Sequence, residues 1–383
     1  MTGARAAHRA ALLDWLACAA GGRHMRAAAA AHAAGDGLLE TVVALGAAGH
    51  VLDFDDTYLP GIAHLSAASA PAALAVGAAL GASVGEVAAA HAAGFERAAA
   101  LARAGHPALY ERGWHPTAVC GTIGAAAAAA RLFGLAGEAH ESALALAALR
   151  AGGSRAGFGS DGKALGVGLA AADGVHAARL AAGGARMAMS ALEGPAGYAA
   201  TTGGTWAAPA PDEPPAVHEN WIKPWPCCLM AHAPIEAALD APHAAERAAL
   251  VVRVHPRARQ AAPYDEVADG LQARFSIPYL TAFALVRGAP DVEGLAAVDE
   301  EVSAFATERV RIVEDPALGE SEARLEDGDG GLLSAVRSSM GSPQRPLTEA
   351  QLAAKVRRLA GDRLHGALRD DRAPAAELLA ALG

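Results

Sequence analysis

Alanine-rich apolar segments alternate with short polar breaks from Thr2 to about Ala200. The segments are roughly 12 to 20 residues long, and Gly, Pro or His in the breaks is typical of connections between helices. Val84–Ala104, Thr117–Gly134 and Glu141–Ala151 carry apolar residues on nearly every face. Helices with this pattern lie inside a large bundle, so this part of the chain predicts closely packed helices.

The pattern changes near Ala207, where the Pro-, Asp- and Glu-rich stretch Ala207–Val217 predicts a loop. Short β-branched runs follow and predict strands at Ala249–Val254, Arg309–Val313 and Ala323–Leu325. Between the first two strands, helices are predicted at Ile277–Arg287 and Asp299–Thr307. The middle of the chain is therefore predicted to form an α/β domain.

Helical sequence returns at the C-terminal end. Thr348-Glu-Ala-Gln351 forms a capping box just after Pro346, and the segment from there to Leu382 is predicted to be helical throughout. The order helical, mixed, helical predicts a mainly α fold in which a smaller α/β domain is inserted into a large all-α domain. The predicted boundaries are 1–218 and 347–383 for the helical domain and 219–346 for the insert.

Composition narrows the class of protein. The formal net charge of −10 argues against a nucleic-acid partner. The sequence contains no uninterrupted run of about 20 strongly apolar residues, so we predict no membrane span. The adjacent cysteines Cys227 and Cys228 do not match a zinc-binding spacing. Reduced thiols and a cytoplasmic location are the simplest interpretation.

Four polar motifs interrupt the alanine-rich sequence. They are His50-Val-Leu-Asp53-Phe-Asp55-Asp56-Thr57, Arg112-Gly-Trp-His115-Pro-Thr117, Gly159-Ser-Asp-Gly-Lys163 and Lys223-Pro-Trp-Pro-Cys-Cys228-Leu-Met-Ala-His232. Lysine occurs only at positions 163, 223 and 355, against a large excess of arginine, so two motifs use a compact ammonium where this chain otherwise uses guanidinium. Together the motifs predict a pocket for a small carboxylate, although each one alone also suits a helix cap or a buried polar group.

Within these motifs, His115 precedes Pro116 where a helix is expected to begin. A histidine near the positive end of a helix tends to stay neutral, which makes His115 a candidate base. If this segment is helical, Asp53 and Asp56 share a face, which leaves a metal site open as an alternative. Asp55 is interpreted as a cap or an internal salt bridge.

The other two motifs allow further alternatives. The prolines after Lys223 predict a rigid, extended backbone. Cys228 and His232 are four residues apart and would share a helix face, so a Cys–His nucleophile pair is an alternative. The glycines before Lys163 resemble a phosphate-binding loop, but Ala164 replaces the required Ser or Thr, and the preceding segment is predicted to be helix.

These motifs, in this order, resemble the MmgE/PrpD family, which includes 2-methylcitrate dehydratase, cis-aconitate decarboxylase and iminodisuccinate epimerase. The resemblance covers about Ala11 to Leu285 and, more weakly, the helix after Pro346. It implies a helical domain with an inserted α/β lid, a homodimer, and no metal or organic cofactor. It places around the substrate Asp53, Thr57, His64, His115, Lys163, Lys223 and Tyr279.

The sequence departs from the family pattern at several positions. His64-Leu65-Ser66 stands where His-Pro-Ser is common, with one more residue after Thr57. Gly166 stands where a histidine is often found, and Cys228 stands where the decarboxylase has a histidine. The chain is also shorter than typical members.

The resulting hypothesis is a lyase acting on a small di- or tricarboxylate by proton transfer next to a carboxylate, with dehydration as the first choice. The predicted catalytic residues are His115 as base, Asp53 to orient or share its proton, and His64 and Tyr279 on the acid side. The predicted substrate-binding residues are Lys163, Lys223, Thr57, Cys228 and His232. An epimerase or isomerase of the same family, and a non-catalytic metabolite-binding dimer, remain alternatives.

Overall fold

The computed structural model describes residues 3–203, 213–364 and 366–383, so most of the predicted Ala207–Val217 loop lies outside the described residues. The chain forms two compact units. The larger unit comprises Met1–Val51, Asp55–Ile222 and Thr348–Gly383, and the smaller unit comprises Leu52–Phe54 and Lys223–Leu347. The protein is mainly α-helical with a small α/β part, which confirms the predicted fold class.

The larger unit begins with a series of helices. In chain order they are α1 (Ala4–Gly22), α2 (Arg26–Ala33), α3 (Leu38–His50), α4 (Ser66–Leu80), α5 (Val84–Gly105), α6 (Ala108–Glu111), α7 (Pro116–Leu132), α8 (Gly137–Ala148), α9 (Asp161–Ala182), α10 (Ser190–Glu193) and α11 (Tyr198–Thr202). A short strand β1 (Thr57–Tyr58) lies between α3 and α4 and pairs antiparallel with β2 (Asn220–Trp221).

Small residues let these helices approach closely. Gly94 of α5 faces Gly124 of α7, and a Cβ atom added to either would lie 2.6 to 2.7 Å from the carbonyl oxygen of the other. Helices α3 and α9 meet in the same way, because a Cβ on Gly46 would lie 2.7 Å from the Cα of Gly168. The core between these helices consists mostly of buried alanine with some Leu and Val. The alanine-rich pattern therefore reflects close helix packing.

The smaller unit contains five helices and a four-stranded sheet. Its elements are α12 (His232–Asp240), β3 (Leu250–Val254), α13 (Pro256–Ala261), α14 (Gly270–Ala273), α15 (Ile277–Val286), α16 (Glu300–Arg309), β4 (Val310–Glu314), β5 (Ala323–Asp327) and β6 (Leu332–Val336). The strand order is β4-β3-β5-β6, with β4 parallel to β3 and the other pairs antiparallel. Helices α12 and α15 pack against the sheet.

All three predicted strands are present in this sheet. The prediction missed the fourth strand of the sheet, β6, as it missed the short pair β1 and β2 of the larger unit. The sequence of β6, Leu-Leu-Ser-Ala-Val, has little β-branched content, and it lies at the edge of the sheet with its first residue exposed. With one β-branched residue in five, this segment carries a weak strand signal.

The C-terminal part returns to the larger unit with α17 (Glu349–Ala360) and α18 (Ala375–Ala380). The predicted capping box is confirmed, since Thr348 and Gln351 cap each other's backbone. The prediction of helix throughout to Leu382 was wrong. Gly361 ends α17 with a φ of +61°, and the described residues from there to α18 form a 3₁₀ helix (Gly361–Leu364) followed by turns and irregular backbone.

Helix α17 is tied to α1 by a buried ion pair. Lys355 Nζ lies 2.6 Å from Asp14 Oδ1, and Asp14 is completely buried. The third lysine of the chain therefore joins two helices of the larger unit. Among the described residues, no helix combines the length and the apolar character needed to cross a membrane.

Candidate active site

Three side chains meet where α3 ends and α4 begins in the larger unit. His50 is the last residue of α3, His64 lies two residues before α4, and Asp55 lies in the loop between them. Asp55 Oδ2 is 2.9 Å from His50 Nδ1 and 3.2 Å from His64 Nδ1. The two imidazole rings are nearly perpendicular, with centroids 4.5 Å apart. We call His50, Asp55 and His64 the carboxylate–histidine cluster.

Two threonines hold His64 in this position. The backbone N–H of His64 donates to Thr117 Oγ1 at 3.0 Å, and Thr57 Oγ1 lies 3.5 Å from His64 Nδ1. The loop that leads to His64 turns sharply at Ile62, whose φ of +46° is unusual for a β-branched residue. This turn brings the chain back so that Thr57 lies beside His64.

His115 and Lys163 flank a phenyl ring next to this cluster. His115 precedes α7, as its place before Pro116 predicts, and its ring stacks on His50 with centroids 5.9 Å apart. The Phe158 ring meets His115 edge-on at 4.9 Å, and Lys163 Nζ lies 5.5 Å from the centroid of the same ring. Ser160 caps α9 and so places Lys163 in its first turn. One ammonium and three histidines therefore lie in one region of the larger unit.

Burial and neighbouring charges shift the pKa values of the adjacent acids Asp55 and Asp56 in opposite directions. Burial alone would raise the pKa of the Asp55 carboxyl, but His50 and His64 outweigh burial and hold that pKa well below its usual range. Burial, assisted by Asp14 and Asp55, raises the pKa of the Asp56 carboxyl well above its usual range. Asp55 is therefore an anion at neutral pH, whereas Asp56 retains its proton.

In the smaller unit, Lys223 and Asp53 form a buried ion pair. Lys223 Nζ donates to Asp53 Oδ1 at 3.1 Å and to the carbonyl oxygen of Asp53 at 2.9 Å. Asp53 has a φ of +50°, a left-handed conformation that residues other than glycine rarely adopt. Its backbone is not helical, so the condition under which Asp53 and Asp56 would share a helix face is not met.

Arg274 is a second buried cation of the smaller unit that the sequence analysis missed. It is 1% exposed, and its carbonyl oxygen accepts from the backbone N–H of Cys228 at 2.9 Å. Burial lowers the pKa of Arg274, while Asp53 and Cys227 oppose the shift. Burial also raises the pKa of the Cys227 thiol well above its usual range, so this thiol is neutral. Because arginine is frequent in this sequence, nothing in the sequence singled out Arg274 as a site residue.

The predicted Cys228–His232 helix face is not formed. Helix α12 begins at His232, and Cys228 precedes a short 3₁₀ turn at Leu229–Ala231. Cys228 Sγ is directed to the carbonyl oxygen of Ala261 at 3.8 Å, and His232 Nε2 lies 3.4 Å from the carbonyl oxygen of Cys227. The prediction failed because the restricted backbone after Lys223 delays the start of the helix.

Tyr279 lies in the first turn of α15 and is almost completely buried. Its hydroxyl oxygen accepts a hydrogen bond from the backbone N–H of Asp299 at 2.9 Å. Burial raises the pKa of Tyr279. The tyrosine is therefore a neutral hydroxyl, which keeps the acid-side role predicted for it chemically open.

The carboxylate–histidine cluster also has the composition of a metal site. One ligand atom from each of its residues lies within 4.8 Å of the others, and two imidazoles with a carboxylate would suit zinc. An ionised carboxylate can only accept hydrogen bonds, so the two Nδ1 atoms facing Asp55 carry hydrogen in the present arrangement. A metal would require both of those hydrogens to leave.

Sequence reasoning named His64, Thr57, His115 and Lys163, which lie together in the larger unit. It also named Asp53, Lys223, Tyr279, Cys228 and His232, which lie in the smaller unit. It assigned no site role to His50 or Phe158, and it interpreted Asp55 as structural. The five-residue spacing of His50 and Asp55 across a helix end carries no periodic signal.

Comparison with known proteins gives two matches. The model of the MmgE/PrpD N-terminal domain matches residues 37–208, and that of the MmgE/PrpD C-terminal domain matches residues 225–379. No curated protein matches the chain.

Proposed function

This chain belongs to the MmgE/PrpD family, and on that premise we propose that it is a lyase of the 2-methylcitrate dehydratase type. Its substrate would be a small di- or tricarboxylate, and its reaction would remove a proton from a carbon next to a carboxylate. The observation that carries this proposal is the arrangement of His64, His50 and His115 beside Lys163 in the larger unit.

The base in this proposal is His115. Its place just before α7 puts it at the positive end of a helix, which favours the neutral imidazole that can accept a proton. Removing a proton next to a carboxylate develops negative charge on that carboxylate. The ammonium of Lys163 would bind the carboxylate and stabilise this charge.

The acid in this proposal is His64. The adjacent Asp55 carboxylate favours the protonated imidazole, which can donate to a leaving hydroxyl group. In a dehydration, the C–H bonding pair becomes the new C=C bond, and the C–O pair leaves with the oxygen. His115 gains one proton, and His64 loses one to the departing water. The two histidines have opposite surroundings, as an acid and a base acting together require.

Lys223, in the smaller unit, keeps the carboxylate-binding role that the resemblance implies for it. Its ammonium is completely buried with Asp53, whose strained backbone is typical of functional positions. Thr57, Tyr279, Cys228 and His232 remain predicted contributors from the resemblance and from their motifs.

The test is a substrate panel of citrate, 2-methylcitrate, cis-aconitate and iminodisuccinate, followed by proton NMR in deuterated water. Loss of water with a new olefinic signal from citrate or 2-methylcitrate is the expected result. Inversion at one carbon without loss of water would instead establish the epimerase alternative. No change in any of the four compounds would count against the lyase and favour a non-catalytic, metabolite-binding protein.

A further inference from the structure

Asp55 contacts two histidines, but it is neither the acid nor the base of the proposed reaction. Its side chain is completely buried, so it cannot reach a substrate in this structure. Oδ2 lies within hydrogen-bonding distance of both His50 Nδ1 and His64 Nδ1, and Oδ1 lies 3.1 Å from His50 Nδ1. One carboxylate therefore contacts the same ring atom of both histidines.

This geometry fixes which ring nitrogen of each histidine can react. Because an ionised carboxylate has no hydrogen to donate, both Nδ1 atoms must carry hydrogen and donate it to Asp55. The Nε2 atoms are then the positions at which His50 and His64 gain or lose a proton. The carboxylate also supplies one negative charge, which balances one imidazolium but not two.

Resting on the proposed function, we propose that Asp55 is a positioning residue. It holds the Nδ1–H groups of His50 and His64, so that His64 donates through Nε2 while one positive charge is shared between the two histidines. When His64 gives its proton to the leaving group, Asp55 and neutral His50 still hold its ring in place. A second proton returning from solvent restores the imidazolium before the next turnover.

His50 couples this cluster to the base. Its ring stacks on His115, so an imidazolium at His50 would oppose proton uptake by His115 through repulsion of like charges. Asp55 also contacts His64, and the balancing proton can reside there. The arrangement thus favours a protonated His64 and a neutral His115 in the same resting state. The protonation of each of these histidines depends on the charge of the others.

Other titratable groups lie on the elements that pack around α4, which begins two residues after His64. By element, they are Asp14 and Cys18 of α1, His50 of α3, Asp55 and Asp56 of the preceding loop, His91 of α5, His115 of α7 and Lys163 of α9. Burial lowers the pKa of His91 to about 3, and burial raises the pKa of Cys18 well above its usual range, so both are neutral. Asp55 is the carboxylate that contacts His64 directly.

The discriminating substitution is Asp55→Asn, with Asp56→Asn as a matched control. The two acids are adjacent and equally buried, but Asp56 retains its proton and contacts Asn220 instead of a histidine. An asparagine at position 55 keeps a carbonyl oxygen that can accept from the Nδ1–H groups, but it removes the negative charge that favours an imidazolium at His64.

For Asp55→Asn we expect kcat to fall about 10- to 100-fold while KM changes little. The general acid would lose its proton at lower pH without the carboxylate. The alkaline limb of the kcat/KM profile should therefore shift to lower pH by about one unit. Asp56→Asn should keep both kcat and the profile of the unsubstituted protein. Equal profiles for Asp55→Asn and the unsubstituted protein would overturn the proposal.

A second measurement needs no activity. Long-range nitrogen–proton NMR of the histidine-labelled protein, with His64 and His50 assigned from His→Gln variants, reports which ring nitrogen carries hydrogen. We expect both residues to be protonated at Nδ1, including at high pH. A neutral His64 with hydrogen on Nε2 would overturn the positioning role even if Asp55→Asn fails to fold.

The two proposals fail in distinguishable ways. If no substrate reacts but the NMR shows Nδ1–H at His64, the lyase assignment fails while the role of Asp55 in fixing the tautomer stands. Elemental analysis provides the remaining outcome. Stoichiometric zinc or iron that is absent from Asp55→Asn would show that the three side chains are metal ligands, which contradicts the proposal.

Discussion

Asp14 and Asp55 are both completely buried carboxylates of the larger unit, but their partners differ in kind. Asp14 faces Lys355, and both residues lie within regular helices. Asp55 faces two histidines and lies in a loop. A lysine keeps its charge near neutral pH, so the first pair is static, whereas histidines exchange protons there. The residue that contacts a buried carboxylate, and not the extent of its burial, therefore decides whether that carboxylate is structural or can serve catalysis.

The largest effect should come from breaking the static pair. Lys355→Ala leaves Asp14 buried without its ammonium, which should lower the free energy of unfolding by about 3–5 kcal/mol. Chemical denaturation measures this loss, and kcat per folded molecule should be unchanged. The double variant Asp14→Leu/Lys355→Met should recover most of the stability, because it leaves no uncompensated charge. A selective loss of kcat in Lys355→Ala would show that the Asp14–Lys355 pair is not purely structural.

His115→Gln should have the largest effect on the histidine side. Glutamine keeps a polar side chain before α7 but cannot accept the substrate proton as a base, so turnover should fall roughly 100-fold or more. The melting temperature should change little, because glutamine keeps a polar side chain of similar size at this position. An active His115→Gln enzyme would remove His115 from the mechanism.

The two remaining lysines test whether a buried ammonium is specifically required. Lys163→Ala and Lys223→Ala should each lower kcat/KM by about 10- to 100-fold, because a charged hydrogen bond to a carboxylate is lost. Lys163→Arg and Lys223→Arg should restore little, since guanidinium is larger and its donors are planar. Full activity of either arginine variant would refute the argument from lysine usage.

The smallest effect expected is the conversion of cis-aconitate to itaconate by the unsubstituted protein. Decarboxylation leaves a carbanion that must be protonated, and the decarboxylase of this family has a histidine where this chain has Cys228. A thiol with a reference pKa of about 8.5 is a poorer proton donor at neutral pH. Proton NMR of the protein with cis-aconitate should therefore show little or no itaconate. Rapid itaconate formation would contradict this prediction and would point to His232 as the proton donor.

The helical part of the fold could be predicted because alanine and glycine periodicity reports directly on close helix packing. Thr348 and Gln351 are an example of a local signal that the structure confirms. The turns after Gly361 were missed because their sequence still contains good helix formers. Strand β6 was missed because its sequence contains a single β-branched residue, whereas the other edge strand, β4, contains three and was predicted.

The candidate site could be predicted only in part. His64, His115 and Lys163 were found because their motifs stand out in an apolar chain. His50 and Asp55 were not given catalytic roles, because their relation depends on how the chain folds back after α3. The strained backbone at Asp53 was also beyond prediction, since nothing in the residue type requires a φ of +50°.

The most direct test of the central claim is exchange of substrate hydrogen with solvent. The unsubstituted protein, His115→Gln and Asp14→Leu/Lys355→Met would each be incubated in deuterated water with the four carboxylates of the panel. Deuterium should enter a carbon next to a carboxylate with the unsubstituted protein and with the double variant, and should be nearly absent with His115→Gln. Equal exchange by His115→Gln, or no exchange with any compound by the unsubstituted protein, would contradict the account.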